Sequence, residues 1–126
     1  MPKVLIVDDS QMFREELRSI LESAGYSVVE ACDGFDGLQK AKANDDVDMI
    51  LCDFNMPEMN GIQMVPLVKE LPAYENTPVF FLSTESSPEL KVHAKEVGVT
   101  AWIIKPFIAE KLLECIEKVL VVVNDK

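Results

Sequence analysis

Four short apolar runs in this sequence end on side chains that could do chemistry. These side chains are Asp8, Asp9, Asp53, Ser83 and Lys105. Open α/β sheets bind their ligands at the carboxyl ends of the strands, where such run ends would lie. Carboxylates, a hydroxyl and an ammonium gathered at one sheet edge would form an acidic site. Such a site can hold a divalent cation and accept a phosphoryl group.

The three aspartates need a counter-charge. Two carboxylates about 4 Å apart repel each other by roughly 4 kcal/mol at an effective dielectric constant of 20. Hard oxygen ligands, too few to enclose an ion, suit Mg²⁺ or Mn²⁺ with waters retained. Ca²⁺ fits less well because the sequence lacks an Asp-x-Asp-x-Asp-Gly loop. The Asp8-Asp9 pair alone could equally be a turn or a helix cap, but Asp53 at the end of an apolar run favours a metal site.

Asp53 is the candidate nucleophile. A carboxylate beside a metal can attack phosphorus in line and form an aspartyl phosphate. Lys105 could pair with Asp53 or with a phosphate oxygen as a point charge, and Ser83 could donate its hydroxyl to another phosphate oxygen. Either residue alone could simply be solvated. Their occurrence at successive run ends supports a role in the site.

The composition limits the classes of partner. The chain has 126 residues and a net charge of −10, from 22 acidic and 12 basic residues. This length predicts a single domain, residues 1–126. The negative charge disfavours nucleic acid and anionic membrane as direct partners. Because the sequence has neither a signal peptide nor a membrane-length apolar stretch, we expect a cytoplasmic, soluble protein. We also expect it to be a monomer.

The cysteines and the histidine are interpreted as structural or surface residues. Cys32, Cys52 and Cys115 are widely spaced and form no C-x-x-C motif. They are expected to be small buried residues in a reducing compartment. His93, within a helical pattern, is expected to be a solvated surface residue.

Short β-branched runs alternate with amphipathic segments, which predicts a (βα)₅ doubly wound α/β fold with a parallel five-stranded sheet. If the first and third strands are neighbours, as in the flavodoxin-like order 2-1-3-4-5, their aspartates meet at the switch point. The pattern alone leaves that order open. The predicted strands are Lys3–Val7, Ser27–Ala31, Asp48–Cys52, a run beginning at Pro78, and about Thr100–Ile104.

Five helices are predicted from apolar residues at helical spacing and from capping residues. The predicted starts are Ser10, Asp33-Gly34, Asn60-Gly61, Ser87-Pro88-Glu89 with a capping hydroxyl, and the segment after Phe107. Gly25, Pro72 and Gly98 are predicted to end the first, third and fourth helices. The expected apolar positions are Phe13, Leu17, Ile20, Leu21 and Ala24; Phe35, Leu38 and Ala41; Met64, Val65, Val68 and Leu71; and Ile108, Leu112, Ile116, Val119 and Val123.

Taken together, these residues resemble the receiver domain of bacterial two-component response regulators. The resemblance runs from Lys3 to about Leu120 and is closest to stand-alone receivers of the chemotaxis CheY type. It implies the strand order 2-1-3-4-5. Its motifs are Val7-Asp8-Asp9-Ser10, Asp53-Phe54-Asn55-Met56-Pro57-x-Met59-x-Gly61, Leu82-Ser83-Thr84-Glu85 and Trp102-Ile103-Ile104-Lys105-Pro106-Phe107.

The resemblance implies a role for each residue of the acidic site. Asp53 would be the phosphoacceptor. Asp9 would bind Mg²⁺ directly and Asp8 through water, and Asp53 and the backbone carbonyl of Asn55 would complete the protein's ligands. Lys105 would bind the phosphoryl group.

The resemblance also assigns the switch residues. Ser83 matches the switch hydroxyl, since it lies 30 residues after Asp53 and 22 before Lys105. Trp102 takes the place of the switch aromatic, usually Tyr or Phe. Asn55 and Glu85 would tune the lifetime of the aspartyl phosphate. The Lys105-Pro106 bond would be cis.

The implied function is a signalling switch that catalyses its own phosphorylation and dephosphorylation. A histidine kinase or a small donor such as acetyl phosphate would phosphorylate Asp53. The last two helices and the fifth strand would then present an altered surface to a downstream protein, and a phosphatase is a further expected partner. The charged residues expected on that surface are Lys91, Lys95, Glu110, Lys111 and Lys118.

Several alternatives remain open at this point. The downstream target could be the flagellar motor switch or a separate enzyme, and the chain could instead be a phosphate sink or a relay intermediate. No output domain is evident, although the chain could have been excised from a longer regulator. A phosphohydrolase of the haloacid-dehalogenase type would want Asp-x-Asp after the first strand, where this chain has adjacent aspartates. An interaction module with a degenerate site conflicts with the intact acidic set.

Overall fold

The sheet confirms the predicted strand number, direction and order. The structure is a computed structural model that describes residues 2–56, 59–85 and 87–124. Five parallel strands lie in the order β2-β1-β3-β4-β5. Their bounds are β1 Lys3–Val7, β2 Ser27–Ala31, β3 Met49–Asp53, β4 Val79–Ser83 and β5 Ala101–Ile104. Asp53 and Ser83 are therefore the last residues of their strands and do not follow them.

Helices alternate with the strands and cover both faces of the sheet. Their bounds are α1 Gln11–Ser23, α2 Gly34–Ala43, α3 Gly61–Lys69, α4 Pro88–Glu96 and α5 Ala109–Asn124. Helices α1 and α5 pack on one face through a cluster that includes Leu17 and Ile116, and α2, α3 and α4 pack on the other through a cluster that includes Val65 and Ala94. Because both faces are buried, alternate residues of β1 enter opposite clusters.

Most helix boundaries follow from local capping. The Ser10 hydroxyl accepts a hydrogen bond from the Phe13 amide, and the Asp33 carboxylate accepts one from the Asp36 amide. Asn60 and Gln63 form a reciprocal capping box at α3. Gly25 and Gly98 end α1 and α4 with φ of 93° and 99°, in the left-handed region that favours glycine.

Three predicted helix details are wrong. The Ser87 side chain makes no capping hydrogen bond, and Pro88 at the first position leaves one fewer amide to cap. Helix α3 ends at Lys69, and Pro72 begins a separate 3₁₀ turn, Pro72–Tyr74. Third, three residues placed among the inward apolar positions are exposed. Ala24 lies at the C-cap of α1. Phe35 lies one position away from the buried residues of α2, and Ile108 precedes α5.

The expected burial of the cysteines holds for one of three. Cys52 in β3 is buried, whereas Cys32 and Cys115 are exposed. Cys32 lies beyond the last residue of β2, and Cys115 lies on α5 beside the buried Ile116. His93 is exposed, as expected. Val123 lies outside the residues whose side chains the structure describes.

No helix in the described part of the chain combines the length and apolar character needed to cross a membrane. The Lys105-Pro106 peptide bond is cis, as the resemblance implied.

Replacement of Gly34 tests the tight contact between α2 and the loop before α3. A Cβ at Gly34 would lie 2.4 Å from the backbone oxygen of Met59, so backbone must move. Gly34→Ala should therefore lower the free energy of unfolding by about 1–3 kcal/mol, although alanine is the better helix former. Urea denaturation measures this change. Gln39→Ala, exposed in the same helix, should change stability by less than about 0.5 kcal/mol; equal effects of both variants would contradict the contact.

Candidate functional site

The register of β1 and β3 brings Asp8 and Asp53 together. Val7 pairs with Cys52 across the two parallel strands, so the next residues, Asp8 and Asp53, lie side by side. The Asp8 amide also donates a hydrogen bond to the Ala31 carbonyl, which extends the pairing of β1 with β2 by one residue. Asp8 is therefore fixed by the sheet on both sides.

Asp8 is buried, and both of its carboxylate oxygens are engaged. Its side chain is 2% exposed. Oδ1 accepts a hydrogen bond from the Ser10 amide at 2.8 Å, and Oδ2 accepts one from Lys105 Nζ at 3.0 Å. A buried charge with this set of partners is compensated, since burial of an unpaired carboxylate would be strongly unfavourable.

Asp53 is less well compensated. Its Oδ2 lies 3.6 Å from Lys105 Nζ, and its Oδ1 accepts a hydrogen bond from the Asn55 amide at 3.2 Å. Burial raises the pKa of Asp53 to about 6; the positive charge of Lys105 opposes this rise, and the negative charge of Asp8 adds to it. At pH 7 about nine-tenths of the Asp53 side chains would be ionised, so the group remains available as a nucleophile.

Asp9 completes a cluster of three carboxylates. One oxygen from each of Asp8, Asp9 and Asp53 lies within 4.8 Å of the others, and Asp9 is exposed. Carboxylate oxygens are the ligand type that Mg²⁺ prefers, and a cluster of this size would leave part of the coordination shell to waters. The cluster predicted from the sequence is thus present, with Lys105 as its partner cation.

Ser83 and Lys105 reach the same edge from neighbouring strands. Ser83, the last residue of β4, pairs with Ile104 of β5 and is 1% exposed. Its Oγ accepts a hydrogen bond from the Glu85 amide at 3.0 Å, which leaves its O–H free to donate elsewhere.

Glu85 connects the other sequence-predicted residues. Its side-chain Oε1 accepts a hydrogen bond from Asn55 Nδ2 at 2.8 Å, and its carbonyl accepts one from Trp102 Nε1 at 2.8 Å. The loop after β4 is therefore bonded to the loop after β3 and to β5. The two residues expected to tune the phosphate lifetime touch each other directly.

Trp102 packs against two phenylalanines beneath the site. Its ring centroid lies 5.4 Å from that of Phe54 and 5.8 Å from that of Phe81. Phe54 directly follows Asp53, so the aromatic group touches the segment that carries the candidate nucleophile. The indole is partly buried in this arrangement.

Sequence reasoning missed two interactions of Asp8. One is its ion pair with Lys105. The other joins Arg14 to the Asp8 main chain, since Arg14 Nη1 donates to the Asp8 carbonyl at 2.6 Å while its Nε pairs with Glu30 at 3.2 Å. A charged Glu30 inside the apolar run of β2 was the available signal, because a half-buried acid requires a partner.

Comparisons with known proteins agree with this geometry. Residues 4–117 match the family described as Response regulator receiver domain. The chain belongs to this family. It is 36% identical to the chemotaxis protein CheY1 of Helicobacter pylori over 119 residues, which cover 94% of this chain and 96% of that protein. Receiver domains act as phosphorylation-activated signalling switches and bind Mg²⁺ at an acidic pocket, which here corresponds to the aspartate cluster.

Solved receiver structures have the same fold. CheY4 of Vibrio cholerae superposes with a TM-score of 0.89 at 43% identity and covers 94% of this chain and 98% of its own. CheY from a CheX-CheY-BeF₃-Mg²⁺ complex of Borrelia burgdorferi superposes with a TM-score of 0.87 at 29% identity, with coverages of 94% and 88%.

The raised pKa of Asp53 predicts a gain of stability on its neutralisation. The folded state holds a proton that the unfolded chain has already released between pH 4 and 6, so metal-free stability should fall as pH rises through that window. Asp53→Asn should remove this dependence and raise the free energy of unfolding at pH 7 by about 1–3 kcal/mol. Chemical denaturation across pH, in the presence of a chelator, measures both effects.

Asp46→Asn is the matched charge-removal control. The hydrogen bond from Lys3 lowers the pKa of Asp46, so its neutralisation should not stabilise the protein. Equal stabilisation by both variants would mean that general charge reduction, rather than the environment of Asp53, is responsible.

Proposed function

We propose that Asp53 accepts the phosphoryl group, with Mg²⁺ held by Asp9, Asp53 and the backbone carbonyl of Asn55, and with Asp8 binding it through water. The observation that carries this proposal is the convergence of three carboxylates and the Lys105 ammonium at one sheet edge. Mn²⁺ is the alternative ion, because its ligand preference is similar.

The contacts of Asp8 support an indirect role toward the metal. Both of its oxygens already have partners, Ser10 and Lys105. Asp9 is exposed, and Asp53 lies farther from Lys105 than Asp8 does, so these two carboxylates are the better direct ligands. When bound, the divalent ion would neutralise charge on the transferring phosphoryl group.

The chain's own residues would then carry out the transfer. A carboxylate oxygen of Asp53 attacks phosphorus as the bond from phosphorus to the donor breaks. That bond is P–N for a phosphohistidine and P–O for acetyl phosphate, and the electron pair leaves with imidazole or acetate. Lys105 would pair with a phosphoryl oxygen as the phosphoryl group passes from the donor to Asp53. In this sense the receiver catalyses its own phosphorylation. Hydrolysis of the aspartyl phosphate would return the receiver to its unphosphorylated state.

Ser83 and Trp102 are proposed to report the phosphoryl group to the surface. The Ser83 hydroxyl would donate to a phosphoryl oxygen, and Glu85, bonded to the Ser83 hydroxyl through its amide, would move with it. The Glu85 carbonyl already accepts the Trp102 indole N–H. Displacement of this loop would therefore shift the indole and bias the surface between two arrangements.

The output surface is proposed to comprise α4, β5 and α5. Exposed apolar side chains on or beside these elements include Val92, Ile104 and Ile108. The charged residues expected there are exposed: Lys91, Lys95, Glu110, Lys111 and Lys118. Exposed apolar side chains together with exposed lysines on these elements would suit an amphipathic or acidic segment of a partner.

The similarity to chemotaxis proteins favours a role for this receiver in a chemotaxis pathway. We propose a histidine kinase as phosphodonor and a downstream protein target, with the flagellar motor switch as the first candidate and a phosphatase as a further partner. A relative assembles with CheX in the Borrelia complex, which supports a protein partner. We further propose that residues 1–126 act as one cytoplasmic, monomeric receiver unit.

Acetyl phosphate labelling tests the central claim. Incubation with Mg²⁺ should add the mass of one phosphoryl group to the intact protein. The increment should be absent without divalent ion and in Asp53→Asn, because the first lacks charge neutralisation and the second lacks the nucleophile. Asp46→Asn, at the opposite end of β3, should label normally.

Labelling also separates three classes of function. A single stoichiometric increment supports a switch. Repeated turnover of a phosphate ester would support a phosphohydrolase, and no increment in the wild-type protein would favour an interaction module.

The Asn55–Glu85 hydrogen bond predicts coupled effects on the lifetime of the aspartyl phosphate. This bond spans the two loops that flank Asp53, so its loss should admit the hydrolytic water. Asn55→Ala and Glu85→Ala should each speed loss of the label about two- to tenfold, and the double variant should be no faster than the faster single variant.

Time-resolved mass measurement after removal of the donor gives these rates. Thr84→Ala changes the same loop outside this hydrogen bond and serves as the control. Multiplicative effects of the two substitutions would contradict a shared contact.

A further inference from the structure

The Lys105 ammonium lies between an aromatic ring and two carboxylates. Its Nζ is 3.9 Å from the centroid of the Phe13 ring. It also lies 3.0 Å from Asp8 Oδ2 and 3.6 Å from Asp53 Oδ2. Among the described residues, Lys105 is the cation that pairs with both of these carboxylates, and its third neighbour is uncharged.

The orientation of the Phe13 ring is fixed from two directions. Phe13 lies in the first turn of α1, where its amide donates to the Ser10 hydroxyl. Its ring meets that of Phe107 nearly perpendicularly, with centroids 5.9 Å apart and an interplanar angle of 88°. Both rings pack against the core cluster beneath α1 and α5. The ring face is thus held in place.

The physical chemistry favours attraction at this contact. An aromatic face carries partial negative charge and attracts a cation within about 6 Å of its centroid, more strongly where water is excluded. The Lys105 side chain is 16% exposed. Lysine has a flexible stem and can place its charge in several directions, so a fixed aromatic face narrows the set of positions open to the ammonium.

We propose that Phe13 is a positioning residue that holds the Lys105 ammonium between Asp8 and Asp53 through a cation–π contact. The role in phosphoryl transfer rests on the proposed function of Asp53, whereas the positioning of Lys105 does not. Phe13 acts through Lys105 and does not itself meet the phosphoryl group. The ring keeps the cation at the acid edge without adding a competing charge.

The first measurement uses the unphosphorylated protein. Protons of the Lys105 ε-methylene group above a ring face are shifted upfield by the ring current, and assignment follows from their loss in Lys105→Met. Phe13 is replaced by phenylalanine analogues with increasing ring fluorination, which keep the shape of the ring and weaken its negative face. The NMR order parameter of the ε-methylene group should fall steadily along this series.

The second measurement is the rate of phosphorylation by acetyl phosphate. The full loss of an attraction of this kind should slow phosphorylation about two- to fivefold, and the intermediate analogues should fall in order between the extremes. Fluorination of Phe35, which is 56% exposed on α2, controls for the analogue itself. Thermal unfolding of each variant separates loss of stability from loss of positioning.

The outcomes separate the two claims. A graded fall in order and in rate, absent for Phe35, supports the positioning role. Unchanged order overturns it, as does a rate that stays constant or rises with fluorination while the wild-type protein is phosphorylated. If the wild-type protein takes no phosphoryl group, the proposed function fails, and the order parameter still decides whether Phe13 holds Lys105.

Discussion

The contact of one lysine with two carboxylates is the constraint on which the rest of this site depends. Asp8 is buried and bonded to Lys105, whereas Asp53 lies 3.6 Å from the same ammonium and has a raised pKa. A single positive charge cannot fully compensate three acids. The excess negative charge favours a divalent cation at this site, and burial, to which the charge of Asp8 adds, raises the pKa of Asp53.

The fold tolerates this unfavourable concentration of charge because its apolar core, rather than the site, stabilises it. Strands β1, β3 and β4 are covered on both faces by two clusters of apolar side chains. The polar groups of the site lie on the last residues of β3 and β4 and in the loops that follow β1 and β5. The acids are therefore placed by strand register, which the core enforces, and they need not stabilise one another. This separation of core from site is general in open α/β sheets.

The sequence predicted the elements better than it predicted the contacts. Periodicity and capping residues located β1 and β2 at their observed bounds and most helix starts to within a residue. The role of each acid came from resemblance to receiver domains. The sequence did not predict which side chains would pair, because the Lys105–Asp8 pair joins residues 97 positions apart. The Phe35 error arose because the rotation of α2 about its axis, rather than composition, decides which side chains face the core.

The hydrogen bonds of Glu85 explain how a small chemical event could reach a distant surface. Its amide, carbonyl and carboxylate contact Ser83, Trp102 and Asn55 respectively. Movement of this one residue therefore changes a β4 contact, a β5 contact and the loop after Asp53 together. Packed groups of this kind shift between discrete arrangements rather than deforming gradually. Since the indole N–H is a donor only, Trp102 makes one strong hydrogen bond in this arrangement, and the Glu85 carbonyl is its acceptor.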